Sequence, residues 1–177
     1  SRLREQAQSP WAIWVAPAFM FLLAYGLMVL PASFVGPIQK TLSIDHQQVG
    51  RLSSIFLYTY VLMQIPVGLL LDRYDNRALL TGAGLLSALS VAIMAYSRSY
   101  PVVLAARLLM GFASSFAFLG AIHLARSWFS AVLFPMVVAI TDAFAGLGAL
   151  GFSISFSWLY QHWGYTPVLF FAACLAL

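Results

Sequence analysis

Long apolar runs separated by short polar segments dominate the chain. Five of the runs reach about 20 mostly apolar residues, the length that a membrane-spanning helix needs, and a shorter sixth run closes the sequence. The predicted helices cover residues 11–38, 52–71, 78–96, 102–125, 131–159 and 168–177. The last run is too short to span a membrane, so we expect it to be the first half of a sixth helix. Because the polar gaps are short, successive helices should be antiparallel neighbours.

The composition indicates a protein that is embedded in lipid. Hydrophobic residues make up 62% of the chain and charged residues only 8%, whereas a soluble domain carries roughly 25% charged residues. So little charge cannot solvate a globular surface. We therefore predict an all-α polytopic membrane bundle in which residues 1–177 form one transmembrane domain in contact with membrane lipid.

Basic and aromatic residues indicate how the bundle lies in the membrane. Cytoplasmic segments normally hold the excess of Lys and Arg, and a cytoplasmic N-terminus places five basic residues inside and three outside. The inner ones are Arg2, Arg4, Arg73, Arg77 and Arg126, and the outer ones are Lys40, Arg51 and Arg98. Tryptophans at predicted helix ends, such as Trp11 and Trp14, are expected at the lipid headgroups.

Several classes of function find no support in the residues. The nine Lys and Arg form no contiguous basic face, so we expect no nucleic-acid partner. Cys174 has no second cysteine to pair with, and His46, His123 and His162 lie too far apart in sequence to suggest a metal site. No nucleophile motif predicts catalytic residues, so we expect neither an enzyme nor a cofactor. Residues 146–151 read G-x-G-x-x-G, but inside a predicted helix, which favours helix packing over dinucleotide binding.

Two motifs point to one family. Residues 64–77 read Q-I-P-V-G-L-L-L-D-R-Y-D-N-R and lie between the second and third predicted helices. They contain the pattern G-x-x-x-D-R-x-x-x-R, carried by Gly68, Asp72, Arg73 and Arg77. A second pattern, R-x-x-x-G, runs from Arg107 to Gly111 on the fourth predicted helix. Together they resemble the signature loop and the fourth-helix motif of the major facilitator superfamily of secondary transporters.

The resemblance covers the whole chain as the N-terminal six-helix half of a twelve-helix protein. It implies a C-terminal six-helix half as partner, and secondary active transport of a small solute by alternating access. It also implies a gating role for Gly68, Asp72, Arg73 and Arg77 at the inner face. The stretch 60–68 resembles organic-anion symporters of the superfamily, and we expect a bacterial inner (plasma) membrane.

Polar residues inside the apolar runs are the candidate site. An arginine at the centre of a span costs about 2.5–3.5 kcal/mol, so Arg107 should face a cavity or a partner. Asp142 is the expected charge partner, and a purely structural ion pair is the alternative. We predict that an organic anion or zwitterion binds to Arg107, Gln64, Tyr60 and Ser114, and that Asp142 carries a coupling proton. For Gln64 the alternative is a hydrogen bond between helices.

Two other functions fit the same apolar pattern. A drug or lipid exporter of the same fold would have a large apolar cavity and would not need Arg107 for its substrate. A membrane scaffold or receptor that transports nothing would be complete without a second half.

Overall fold

The computed structural model describes residues 10–33, 35–163 and 167. The helices in this part of the chain are α1 (Pro10–Ser33), α2 (Val35–Leu42), α3 (His46–Arg73), α4 (Asn76–Tyr96), α5 (Tyr100–Trp128) and α6 (Phe134–Trp163). Helices α3 to α6 are long and apolar enough to cross a membrane, and α1 contains a shorter apolar stretch, Trp14–Val29. The predicted all-α membrane bundle is confirmed. The predicted helix at 168–177 lies outside the described residues.

Helix ends differ from the prediction around the first polar gap. Residues 40–51 were expected to form a loop, but α2 extends to Leu42 and α3 begins at His46. The Asp45 carboxylate accepts a hydrogen bond from the Gln48 backbone N–H at 2.7 Å, and the Gln48 side chain accepts one from the Asp45 N–H at 3.1 Å. This capping box starts a helix on polar residues, which a search for apolar runs does not detect.

Two close helix crossings organise the bundle. Helix α1 packs mainly on α6 and α3 mainly on α5, while α5 also packs on α1 and α4. At the α3–α5 crossing, a Cβ on Gly111 would lie 2.5 Å from the Phe56 carbonyl oxygen. At the α1–α6 crossing, a Cβ on Gly148 would lie 2.8 Å from the Leu22 carbonyl oxygen. Glycine thus lets each pair of backbones touch, and the packing role expected for the G-x-G-x-x-G segment is confirmed at Gly148.

A hydrogen bond also links α1 to α6. Trp14 was expected among headgroup-facing aromatics, but its side chain is buried. Its indole N–H donates to the Thr141 hydroxyl at 3.2 Å, and that hydroxyl donates to the Val137 carbonyl at 2.8 Å. A buried indole N–H needs an acceptor, and Thr141 supplies it.

Gly111→Ala should destabilise the bundle, because the new methyl group would meet a backbone atom that cannot rotate away. We expect a loss of about 1–3 kcal/mol, as for other overpacked cores. Gly82→Ala is the matched control, since a Cβ there meets nothing within 4 Å and the substitution should be neutral or slightly stabilising. Melting temperatures of the full-length variants measure the difference; equal melting temperatures would contradict the crossing.

Candidate functional site

Arg107 is the best-anchored polar side chain inside the bundle. It lies on α5 and has no exposed surface. Its Nε donates to the Leu52 carbonyl of α3 at 3.2 Å. Its Nη1 and Nη2 donate to the Leu27 and Met28 carbonyls of α1 at 2.9 and 3.2 Å, and the Phe56 ring centroid lies 4.7 Å from its Cζ. The guanidinium therefore ties α5 to α1 and to α3.

The sequence of α1 explains why an acceptor is available there. Pro31 has no N–H, so the carbonyl four residues earlier, that of Leu27, loses its usual helical donor. A buried acceptor without a donor costs about 1–3 kcal/mol. Arg107 supplies the missing donor and so offsets the cost of the proline.

The R-x-x-x-G spacing matches a spacing on the facing helix. Arg107 bonds the Leu52 carbonyl, and Gly111 lies against the Phe56 carbonyl, four residues further along in both helices. The glycine lets α5 approach α3 closely, and that approach brings the arginine within reach of the α3 backbone. In this motif the glycine therefore permits close helix packing, and the arginine supplies the charged hydrogen-bond donor.

The expected ion pair between Arg107 and Asp142 is not present. Asp142 is exposed on α6, whereas the buried guanidinium faces carbonyls of α1 and α3. The prediction rested on the depth of each residue in the membrane, counted from the helix ends, and this depth does not indicate which helix faces pack together. The solute-binding role of Arg107 stays a prediction, and it would require the guanidinium to leave these carbonyls.

A second polar group gathers side chains from three helices. A hydrogen bond links Tyr60 and Gln64, one turn apart on α3. Asp142 of α6 lies within electrostatic range of the hydroxyls of Tyr60 and of Tyr25 on α1. Tyr25 was missed from the sequence. A tyrosine in the middle of an apolar run, rather than at its end, was the available signal.

Aromatic rings pack between the helices that carry these polar groups. Phe21 contacts Tyr25 and Phe118, with centroid separations of 4.9 and 5.0 Å. Phe118 in turn lies 6.5 Å from Tyr60. We call the partly exposed rings of Tyr25, Tyr60 and Phe118 the aromatic wall; it spans α1, α3 and α5, and the fully buried Phe21 packs behind it.

Ser114 lies behind the aromatic wall. It is 2% exposed and lines a very small cavity together with Tyr25 and Tyr60. Within the described residues its Oγ has no hydrogen-bond partner. The structure thus places Ser114 close to the predicted Tyr60 but beneath the surface that a solute would meet first.

The signature loop lies at the ends of α3 and α4. Asp72 and Arg73 are the last residues of α3, and both are exposed, as is Arg77. The Asp72 carboxylate lies 3.6 Å from Nδ1 of His123 on α5. A Cβ on Gly68 would meet nothing within 4 Å, so that part of α3 faces open space. The contact with His123 joins residues 51 positions apart, and nothing in the sequence indicated it.

An apolar groove runs along α1 and α6. Its volume is about 340 Å³, and its lining includes Leu22, Leu147, Phe152 and Leu159, with Ser155 among them. This groove is distinct in character from the polar surface around Asp142, and it is the feature that a carrier of apolar compounds would use.

A helical membrane bundle with ionisable and other polar side chains inside its apolar helices is typical of membrane transport proteins. The chain belongs to the Major Facilitator Superfamily, whose family model matches residues 17–177. This confirms the predicted family, which is a family of integral membrane transport proteins rather than of enzymes.

Curated relatives are transporters as well. The chain is 28% identical over 129 residues to the uncharacterized transporter YybO of Bacillus subtilis, covering 72% of this chain and 29% of that protein. It is 30% identical over 138 residues to probable anion transporter 7 of Oryza sativa, covering 77% and 31%. It is 31% identical over 98 residues to the probable galactarate/D-glucarate transporter GudP of Pseudomonas putida, covering 52% and 22%. The matched region thus spans less than a third of each relative.

Arg107→Ala should destabilise the fold, and removing Asp142 as well should not repair it. The reason is that Arg107 donates to three backbone carbonyls, two of them in buried hydrogen bonds, rather than to a carboxylate. Hydrogen bonds from a charged donor are worth about 1.5–3 kcal/mol each, so the loss of three should cost roughly 4 kcal/mol or more. Melting temperatures of the full-length wild type, both single variants and the double variant test this. Recovery in Arg107→Ala/Asp142→Ala would mean that the two charges do interact.

Proposed function

We propose that the full-length protein carries a small organic acid or zwitterion across the membrane by alternating access. The solute would bind against the aromatic wall, Gln64 and Asp142. The observation that carries this proposal is that three apolar helices each contribute polar side chains that are not fully buried: Tyr25 on α1, Tyr60 and Gln64 on α3, and Asp142 on α6. The names of two relatives, an anion transporter and a galactarate/D-glucarate transporter, favour the same class of solute.

Asp142 indicates what must cover this face. An aspartate facing lipid near the middle of a span costs about 2.5–3.5 kcal/mol, yet Asp142 is exposed in the described half. Protein or water must therefore meet it in the membrane. A C-terminal six-helix half packed across this face would provide both, with the solute between the halves near the midplane.

Proton coupling follows from the same carboxylate. Asp142 is the acid of the polar face, and neutralising it would ease movement of the face between its two orientations. We propose that it takes up the coupling proton. The groove along α1 and α6 supports one rival: an exporter of drugs or lipids would bind its apolar cargo there.

Transport by the full-length protein in vesicles tests the proposal. We expect an imposed pH gradient to drive uptake of small carboxylates or zwitterions. Asp142→Asn should reduce accumulation against the concentration gradient about tenfold or more, because an amide cannot carry the proton. Thr81→Ala, at an exposed position of α4, is the control and should transport normally. Transport of apolar compounds alone would favour the exporter, and uptake indifferent to both the gradient and Asp142→Asn would reject the coupling.

The loop between α3 and α4 is the proposed inner gate. Asp72 stands at the C-terminal end of α3, where the helix dipole disfavours an anion by about 0.3–1 kcal/mol. His123 lies 3.6 Å from this carboxylate and would offset part of that cost when its ring is protonated. The carboxylate remains exposed, so it is also available to a helix N-terminus of the second half when the inner face closes.

Asp72→Asn should therefore slow transport more than it weakens solute binding. A lost charge–dipole contact of about 1 kcal/mol corresponds to roughly a fivefold change in the closing equilibrium. The comparison is between the transport rate and the equilibrium dissociation constant of the same solute. Asp75→Asn is the matched control, since Asp75 lies in the same loop and its side chain makes no helix-capping hydrogen bond. Equal transport rates in the two variants would mean that Asp72 is only a solvated charge in the loop and has no role in the gate.

A further inference from the structure

We propose that His123 is a pH sensor for the inner gate: a proton on its imidazole ring draws the Asp72 carboxylate to α5 and so favours the open inner face. This inference rests on the gating role proposed above for Asp72. It adds a residue outside the signature loop, and it makes closure of the gate depend on the pH at the inner face.

The contact between His123 and Asp72 needs a charged ring. Nδ1 of His123 lies 3.6 Å from Oδ1 of Asp72, which is too long for a hydrogen bond between nitrogen and oxygen. A neutral imidazole therefore gains little from the carboxylate at this distance, whereas an imidazolium attracts it by its charge. Histidine is the side chain that ordinarily gains or loses its charge between pH 5 and 8. The strength of this contact therefore depends on pH in the physiological range.

Other charged groups at this end of the bundle do not take the place of His123. The charged and titratable side chains of the loop between α3 and α4 and of the end of α5 are all exposed: Arg73, Tyr74, Asp75, Arg77 and Arg126. Within residues 10–33 and 35–163, none of these arginines forms an ion pair with Asp72. Helix α1 has no charged residue, and α6 has none before Asp142. Permanent cations are close in sequence, yet the basic group that meets Asp72 is the one whose charge can change.

Both partners can exchange protons with water, and only one of them is fixed in place. The side chains of His123 and Asp72 are 35% and 68% exposed. Helix α5 is tightly packed three residues before His123, because a Cβ on Gly120 would lie 2.6 Å from a methyl group of Leu80. Asp72, in contrast, stands in the last turn of α3. The contact therefore positions the mobile carboxylate on a fixed ring.

The direction of the effect follows from competition for this carboxylate. The proposed gate closes when Asp72 meets a helix N-terminus of the second half. An imidazolium at His123 holds the carboxylate on its own half, so acid weakens the closing contact. At higher pH the ring is neutral, and the carboxylate is available for closure. Under the proposed proton-coupled uptake, acid at the inner face would slow the return of the gate and so limit further entry of protons.

Cysteine labelling of the full-length protein in lipid nanodiscs tests the proposal without a transported solute. Tyr74→Cys, in a Cys174→Ser background, places a thiol at an exposed position two residues beyond Asp72, where closure should cover it. Labelling by a water-soluble maleimide is compared between proteins at the same pH, so that the pH dependence of the reagent cancels. The protein with His123 should label about two- to fivefold faster than His123→Gln at about pH 5.5, as expected for an exposed ion pair, and equally fast at about pH 8. His123→Arg, whose charge is permanent, should label faster than His123→Gln at both pH values.

Asp72→Asn separates the gate from a direct effect of the ring on the thiol. If the ring acts through Asp72, His123→Gln should change nothing in an Asp72→Asn protein. His46→Gln, at an exposed position at the opposite end of α3, is the matched control and should keep the labelling rate of the protein with His123. Melting temperatures identify any variant that fails to fold. The proposal is overturned by equal labelling at every pH, by faster labelling of His123→Gln in acid, or by an effect that persists in Asp72→Asn.

The gate and its pH sensor can fail separately. If Asp72→Asn slows transport while His123→Gln labels like the protein with His123 at every pH, the gate stands and the sensor is wrong. If Asp72→Asn leaves transport unchanged, the proposed gate fails and the sensor fails with it.

Discussion

The hydrogen bonds from Arg107 to backbone carbonyls are the interaction on which the rest of the bundle depends. Lipid offers no hydrogen bonds, so every backbone group that leaves the helical pattern must find a partner inside the protein. Pro31 creates one such group at Leu27, and Arg107 satisfies it while it also binds Met28 and Leu52. A single side chain from α5 thereby fixes α1 and α3 relative to each other.

That anchoring explains where the polar face comes from. Tyr25 lies two residues before the Leu27 carbonyl that Arg107 holds, so the orientation of α1 at this point sets where the tyrosine ring faces. On α3, Tyr60 is one turn beyond Phe56, whose carbonyl lies against Gly111. The face that carries Tyr25, Tyr60 and Asp142 therefore rests on two close crossings, one of α3 on α5 and one of α1 on α6. The arginine shapes the candidate site without standing in its open surface.

Much of the fold could be predicted from the sequence because hydropathy and loop length act locally. The four long helices α3 to α6 and the packing role of Gly148 follow from such local rules, whereas the first predicted helix, 11–38, corresponds to two helices, α1 and α2. The partner of Arg107 did not follow, because a helical rise of 1.5 Å per residue gives depth in the membrane but not which faces meet. Pro31, four residues beyond Leu27, was the available sign that the Leu27 carbonyl lacks its helical hydrogen-bond donor. The start of α3 was missed for a different reason, since Asp45 and Gln48 form a polar cap that hydropathy ignores.

The exposed Asp142 and the buried Arg107 have opposite surroundings. Arg107 is enclosed, and its charge is met by fixed carbonyl dipoles of α1 and α3, so the described helices satisfy it by themselves. Asp142 is exposed on α6, and the described helices do not enclose it. Under the proposed function, a fixed cation on a second six-helix half would lock the two halves together, whereas a proton or a solute could arrive and leave with each cycle. Of Arg107 and Asp142, it is the exposed Asp142 that suits such a reversible contact.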